Sequence, residues 1–359
     1  MNPYIYIRSL RHSDFTVFGV ADGQKRYWDE QFNRWVAYSS GQQVKRNVLE
    51  EIISSLNEQP APVTFYHEAK KSGGKTTISE KEVTTPGDPQ LADQLLGGWM
   101  IANAGGKKRT LKRRSPLSIS ALRPLHPLLA SVHSENLSFD RSDRPDHHKV
   151  IVKNENGEVL TEEEIAKLLA GSDRSLRRKW IQDNKRTSGL YVNDVAIDLR
   201  TIFCVSTNQL EPELAEETVE ELQKNGWKEM ENVFGKCLLA PENRRQEIIP
   251  SLAHALVNWR ITTNQSRTFS PMEVLAVAIS DNANKVTGAI RSKLIDEGEK
   301  PSAKPIVDDS IDGIDVYVTL PGAGYFNTNV ESAESIDAAE KNLIERMVAF
   351  PYENQLEVF

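Results

Sequence analysis

Between Gln94 and Ser134 the chain carries seven bases, Lys107, Lys108, Arg109, Lys112, Arg113, Arg114 and Arg123, and not one Asp or Glu. The run leads into Ser115-Pro116-Leu117-Ser118-Ile119-Ser120-Ala121-Leu122, where hydroxyl and apolar residues alternate as in a strand. Cations beside short hydroxyl donors suit phosphate oxygens, which accept from both. A second such place is Ser39-Ser40-Gly41-Gln42-Gln43-Val44-Lys45-Arg46. There Ser39 or Ser40 can cap a helix whose apolar residues Val44, Val48 and Ile52, with Leu49, Ile53 and Leu56, recur at helical spacing. The open N–H groups and positive dipole end of such a helix favour an anion. A late loop, Pro321-Gly322-Ala323-Gly324, offers backbone N–H groups that glycine leaves uncovered. Tyr4, Tyr6, Phe18, Tyr27, Trp28, Trp35 and Trp99 are aromatic residues able to stack on bases, most of them expected in the core.

Other chemistries are poorly supported. Gly73-Gly74-Lys75-Thr76 resembles the end of a phosphate-binding loop, but Ala69 stands where that pattern needs Gly, and the following TTISEKEVTT is strand-like rather than helical. Asp143, Asp146, His147 and His148 lie close in sequence without the spacing of a metal site. His126 and His133 are seven apart across Pro127 and suit packing or a phosphate contact better than metal ligation. Cys204 and Cys237 have no CxxC spacing and make no disulfide framework, which points to a reducing cytosol. No nucleophile motif stands out. The reading is therefore of no catalytic residue, no metal and no cofactor.

The whole chain has 359 residues, 44 Lys and Arg against 51 Asp and Glu, and a formal charge of −7. As a global figure this argues against nucleic acid, yet the acid-free window is +7 and the remainder −14. From Asp281 onward 15 acids face 7 bases. A further basic cluster, Arg174, Arg177, Arg178, Lys179, Lys185 and Arg186, is interrupted only by Asp183. Segregated charge of this kind suits head-to-tail contact between copies. No apolar run has the roughly 18 residues of a membrane helix, and MNPYIYIRS does not read as a signal peptide, so a cytoplasmic protein is expected.

The elements that must position these residues read as an α+β fold in one domain spanning 1–359. Strands are expected at Tyr4–Leu10, Phe15–Val20, Lys149–Val152, Ala196–Val205 and Ile314–Leu320, and a hairpin over residues 63–85. Besides the helix after Ser40, helices are expected from the Thr161-Glu162-Glu163-Glu164 box, over Leu214–Asn225, from Ser270-Pro271-Met272-Glu273, and over Ile336–Val348.

Two stretches in this order, SSGQQVKRNVLEEI and Leu111–Leu122 (LKRRSPLSISAL), give the chain its resemblance to a known family. They are similar to the "SSQ…KR" helix start and the "KRTSPL…S" stretch of the repeating backbone subunits of CRISPR Cascade complexes, the Cas-seven family in its DevR-type branch. The resemblance covers about 30 residues, and the chain departs from it at Gly41, inserted before Gln42. It implies an RNA-recognition-motif-like (ferredoxin-like) palm with large insertions, placed near residues 57–90 and 136–190. It also implies a non-catalytic protein that binds CRISPR guide RNA as a head-to-tail filament of copies, with other Cascade subunits, and presents bases for pairing with target DNA. Ser39, Ser40, Gln42, Gln43, Lys45 and Arg46 would then line the guide backbone. Arg113, Arg114, Ser115 and Ser118, with Lys107, Lys108, Arg109 and Lys112, would make a second set, and Gly322 and Gly324 a third. Two other readings remain: an RNA-targeting backbone in which Asp14 or Asp22 cleaves RNA, and a metal- or nucleotide-dependent enzyme using His147, His148 or the Gly73–Thr76 tip.

Overall fold

The computed structural model describes residues 2–19, 24–72, 75–102, 110–141, 143, 145–172, 174–262 and 269–357. Its centre is an antiparallel sheet built on β1 (Tyr4–Thr16). The other strands are β2 (Ala130–Asp140), β3 (Arg178–Asp198), β4 (Glu273–Ser280) and β5 (Asp315–Val318), in spatial order β2-β3-β1-β4-β5. Ile7 pairs with Val195 on one side and Ile279 on the other. Between β1 and β2 lies α1 (Gly41–Leu56), and between β3 and β4 lies α2 (Glu242–Asn258). A last helix, α3 (Ser335–Val348), follows β5.

Period-two alternation decides what each face of the sheet covers. Ile5, Ile7, Val195, Ile197, Val277 and Ile279 point to the helices, where Val44, Val48 and Ile52 of α1 meet Ile248 and Leu252 of α2 and Leu343 of α3. Each of these fully buried side chains contributes roughly 1.5–3 kcal/mol. Leu10, Val192, Ala276 and Ala278 point the other way, under the short helix Ala283–Ala289 and the hairpin Ile290–Ile295/Ser302–Val307. Arg11, fully buried on the helix side, caps α2: its guanidinium donates to the carbonyls of Val257 (2.5 Å) and Trp259 (3.1 Å) and lies 4.5 Å from the Trp259 ring centroid. The cation thus meets the negative end of the helix dipole.

Two hairpins extend from this body. In Thr64–Ser72/Lys75–Thr84 the residues of the first strand are exposed as far as Lys71. β3 runs beyond β1, so Arg178–Arg186 pair with β2 alone, and the described residues between Asp140 and Arg178 lie at that end. There Thr161 caps the helix Glu162–Leu169 with both halves of the capping box formed.

Several expectations are corrected. Phe15–Val20 is not a separate strand; β1 continues to Thr16 through a bulge between Ser13 and Thr16, with Phe15 at φ 43°. Ser270-Pro271-Met272-Glu273 opens no helix. Glu273–Ser280 (EVLAVAIS) is the strand β4, because burial on both faces between β1 and β5 outweighs the local box. Lys149–Val152 forms no strand, only an isolated bridge Lys153–Val159 beside it. Ala196–Val205 is split between the end of β3 and Cys204–Ser206.

Candidate nucleic-acid interface

The start of α1 is held from both sides. Ser39 exchanges two backbone hydrogen bonds with Leu122 (3.0 and 3.1 Å), which ties the helix entry to the end of the SPLSISAL stretch. Ser40 is the N-cap, and its Oγ accepts from the Gln43 N–H at 3.3 Å. Ser39 is fully buried, and its hydroxyl donates to Gln43 Oε1 (3.0 Å), so it positions Gln43 and offers nothing to a ligand. Gly41 has a steric reason: a Cβ there would stand 2.6 Å from the Ile119 carbonyl oxygen. Gly41→Ala is expected to force helix and strand apart and cost about 1–3 kcal/mol, read as a lower urea midpoint; an unchanged midpoint would contradict this packing.

No acid occupies the first turn of α1. With Gln43 N–H taken by Ser40, the N–H groups of Gly41 and Gln42 have no intrahelical acceptor. One turn on, Lys45 is half-buried, forms no ion pair among the described residues, and has its pKa pushed down to about 8 by desolvation. Such a lysine is a cation in want of an anion. Arg46 is exposed and paired with Glu50 at 2.8 Å, and Gln42 is exposed.

Leu117–Ile119 continues the sheet beside β3 (Val195–Ile197). Leu117 packs into the helix-side core, whereas Ser118 and Ser120 line a groove of about 460 Å³ with Tyr6, Asp194, Ala283 and Thr287. Ser118 is exposed; Ser120 Oγ accepts from the Asp194 N–H at 2.8 Å. Asp194 meets two cations. Arg8 Nε lies 2.9 Å from one carboxylate oxygen, an ion pair not aligned as a hydrogen bond, and Arg123 lies 2.8 Å from the other. One acid between two arginines leaves this trio net positive beside the groove.

The basic window divides. Lys112 and Arg114 are exposed and form no ion pair among the described residues; Lys107, Lys108 and Arg109 lie outside them. Arg113 is corrected from a contact to a structural residue. It is 4% exposed, and its five N–H groups go to Leu95 O (twice), Thr201 O, Cys204 O and Glu213 Oε2, at 2.7–3.4 Å. Ser115 is likewise engaged, donating to Leu96 O (2.6 Å) and accepting from Leu117 N–H. Gly322 is corrected too: it is buried, its N–H donates to Thr319 O, and a Cβ would stand 2.5 Å from Leu275 O, so it packs against β4. Gly324 is exposed and open around its Cα. In the second basic cluster Arg178 pairs with Asp140 at 2.6 Å, Lys185 Nζ donates to Ser134 Oγ, and Arg186 is buried.

Of the aromatic residues, Phe18 and Trp99 are core, Tyr4 and Tyr6 stack on each other half-buried, and Tyr27, Trp28 and Trp35 are exposed. His126 packs on Phe32, its Nδ1 accepting from the Leu128 N–H, and His133 stacks on Phe15. Of the alternative readings' residues, Asp14 Oδ1 accepts from Ser188 Oγ, and Asp22, Gly73 and Gly74 lie outside the described residues. Among the described residues no group of three His, Cys, Asp or Glu could hold a metal, and no helix is long and apolar enough to cross a membrane.

The sequence matches no protein-family model and no curated protein. In structure it is similar to a chain of a "CRISPR RNA-guided surveillance complex, pre-nicking", over 96% of this chain and 88% of that one, at TM-score 0.44 and 9% identity. A chain of a "CRISPR RNA-guided surveillance complex" is similar over 97% and 85%, at TM-score 0.38 and 10% identity. At these values the likeness decides nothing about function, which must be read from this chain's own residues.

Proposed function

We propose that this chain is a non-catalytic backbone subunit that binds CRISPR guide RNA through its sugar–phosphate chain, lines up with further copies along it, and presents the bases for pairing with target DNA. The observation that carries the reading is the start of α1: an acid-free first turn with two open N–H groups, beside a half-buried lysine with no ion pair among the described residues. Lys45, Gln42, Arg114, Lys112, Ser118 and Arg123 are the contacts assigned. They touch phosphate and ribose and leave sequence to base pairing, as a subunit serving any guide requires. The strand order β4-β1-β3-β2, with α1 and α2 on one face, supports an RNA-recognition-motif-like palm in which the two projecting hairpins are insertions.

The test uses the pH dependence of Lys45. Burial lowers its proton affinity in the folded, RNA-free protein, while a bound phosphate restores the charge. Above about pH 8 binding therefore takes up a proton, and affinity falls as pH rises. An ordinary lysine, with a pKa of about 10.4, would stay charged over that range. The same linkage makes the free protein gain stability as pH rises through about 8, since the unfolded chain then holds more protons. Anisotropy titrations of single-stranded RNA from pH 7 to 9.5 are expected to show the fall in the native protein and a flat profile in Lys45→Arg. Identical profiles would remove Lys45 from the phosphate site.

A further inference from the structure

The hairpin Arg26–Asp29/Arg34–Ala37 leads directly into the α1 start, with Tyr38, whose N–H donates to Lys25 O, as the link. Its register sets Trp28 opposite Trp35 and Tyr27 opposite Val36. Arg26, Trp28 and Trp35 share one face, which is outer at the two indoles (46% and 44% exposed) although Ala37 on it is buried; Val36 (1%) and Tyr27 (42%) share the other. The two indoles meet at 71° with centroids 5.6 Å apart, and the Arg26 guanidinium lies 4.4 Å from the Trp35 ring centroid. Two exposed tryptophans held in place by each other and by an arginine form a contiguous aromatic patch, the kind of surface that marks an interaction site.

We propose that this outer face, Trp28, Trp35 and Arg26, is a stacking platform for unpaired bases of the single-stranded RNA whose phosphates sit at the start of α1. The assignment rests on the RNA-binding reading above and adds base contacts to it. Continuity and charge favour RNA over a protein partner. Trp35 is five residues from Ser40, at most about 17 Å of extended chain, which lies within a site of about four or more nucleotides. Arg123 is close enough to act on the Tyr27 hydroxyl, whose pKa is raised by burial and then by Asp29, with Arg123 opposing. Of the two acids in the turn, Asp29 Oδ1 accepts the Phe32 N–H at 2.9 Å and closes the turn, and Glu30 is exposed beside it. Stacking uses the π-face that every base has, so the platform serves any guide sequence.

The test compares a fluorescein-labelled RNA of about 12 nucleotides with an abasic strand of the same length, by anisotropy on the full chain. The native protein is expected to prefer the base-bearing strand about tenfold or more. In Trp28→Ala/Trp35→Ala that preference is lost, while affinity for the abasic strand and its salt dependence stay as they were. Trp28→Phe/Trp35→Phe restores most of it. Circular dichroism establishes that the variants are folded. Loss of affinity for both strands in a folded variant, or a changed oligomeric state with the preference intact, would overturn the platform, the latter marking a protein contact. An undiminished preference would also overturn it and leave the phosphate site standing. Failure of the native protein to bind either strand would overturn both.

Discussion

Lys45→Glu is expected to weaken single-stranded RNA binding by about 10–100-fold, the cost of losing one charge-assisted hydrogen bond and of placing an anion at the same spot. Position matters more than charge here. Arg46, one residue on, is exposed and already engaged with Glu50, so Arg46→Ala should change affinity little. Lys45 sits partly desolvated beside the positive end of α1. Salt separates a lost phosphate contact from a general effect: the slope of log K against log salt should flatten by about 0.7 in Lys45→Ala, the single-strand value for one phosphate. An unchanged slope with reduced affinity would mean that Lys45 shapes the helix start and does not touch RNA.

Arg113→Leu is expected to destabilise the protein by about 3–5 kcal/mol. The substitution removes the donors to the carbonyls of Leu95 and Cys204, leaves Thr201 O with only the Cys204 N–H, and leaves the partly buried Glu213 Oε2 with only the Ser206 N–H (2.8 Å). Desolvation lowers the Arg113 pKa and Glu213 opposes this, as for a charge held by its surroundings rather than by solvent. Its neighbour gives the contrasting result: Arg114→Ala should leave the urea midpoint in place and weaken RNA binding. If Arg113→Leu instead keeps its midpoint and loses RNA, the guanidinium reaches the ligand and its structural role is wrong.

The contrast between these two arginines shows where sequence reading stops. Composition isolates the basic window, but in an Lys112-Arg113-Arg114 run only strand alternation distinguishes the residue turned inward, and Leu111–Arg113 is too short a strand to display it. The helix α1 was legible because a serine cap and 3.6-residue spacing agree, and Gly41, a departure from the family resemblance, turns out to be the residue that lets α1 touch the Ile119 backbone. The exposed hairpin at residues 63–85 and the Thr161 box were legible for the same reason, local signals with no competing tertiary demand. β4 was not: Ser-Pro-Met-Glu is a good helix start, and only its place between β1 and β5 makes the next residues a strand. α2 was not legible because it contains Pro250 and its two halves differ, a polar first half and a second half, Ile248–Val257, buried on most sides against the sheet and the other helices. The meeting of Asp194 with Arg8 and Arg123 spans distances along the chain that no spacing rule reaches.

Photo-cross-linking of bound single-stranded RNA, followed by mapping of the adducts to tryptic peptides, tests the phosphate site most directly. Cleavage after Arg34 and Lys45 releases Trp35–Lys45, a peptide that carries Trp35, Tyr38, Ser40 and Lys45 together. The account predicts that this peptide bears the dominant adduct and that in Lys45→Glu, where trypsin cuts next after Arg46, the corresponding peptide Trp35–Arg46 bears none. Adducts confined to the hairpin tips or to the acidic segment after Asp281, with Trp35–Lys45 unmodified, would contradict it.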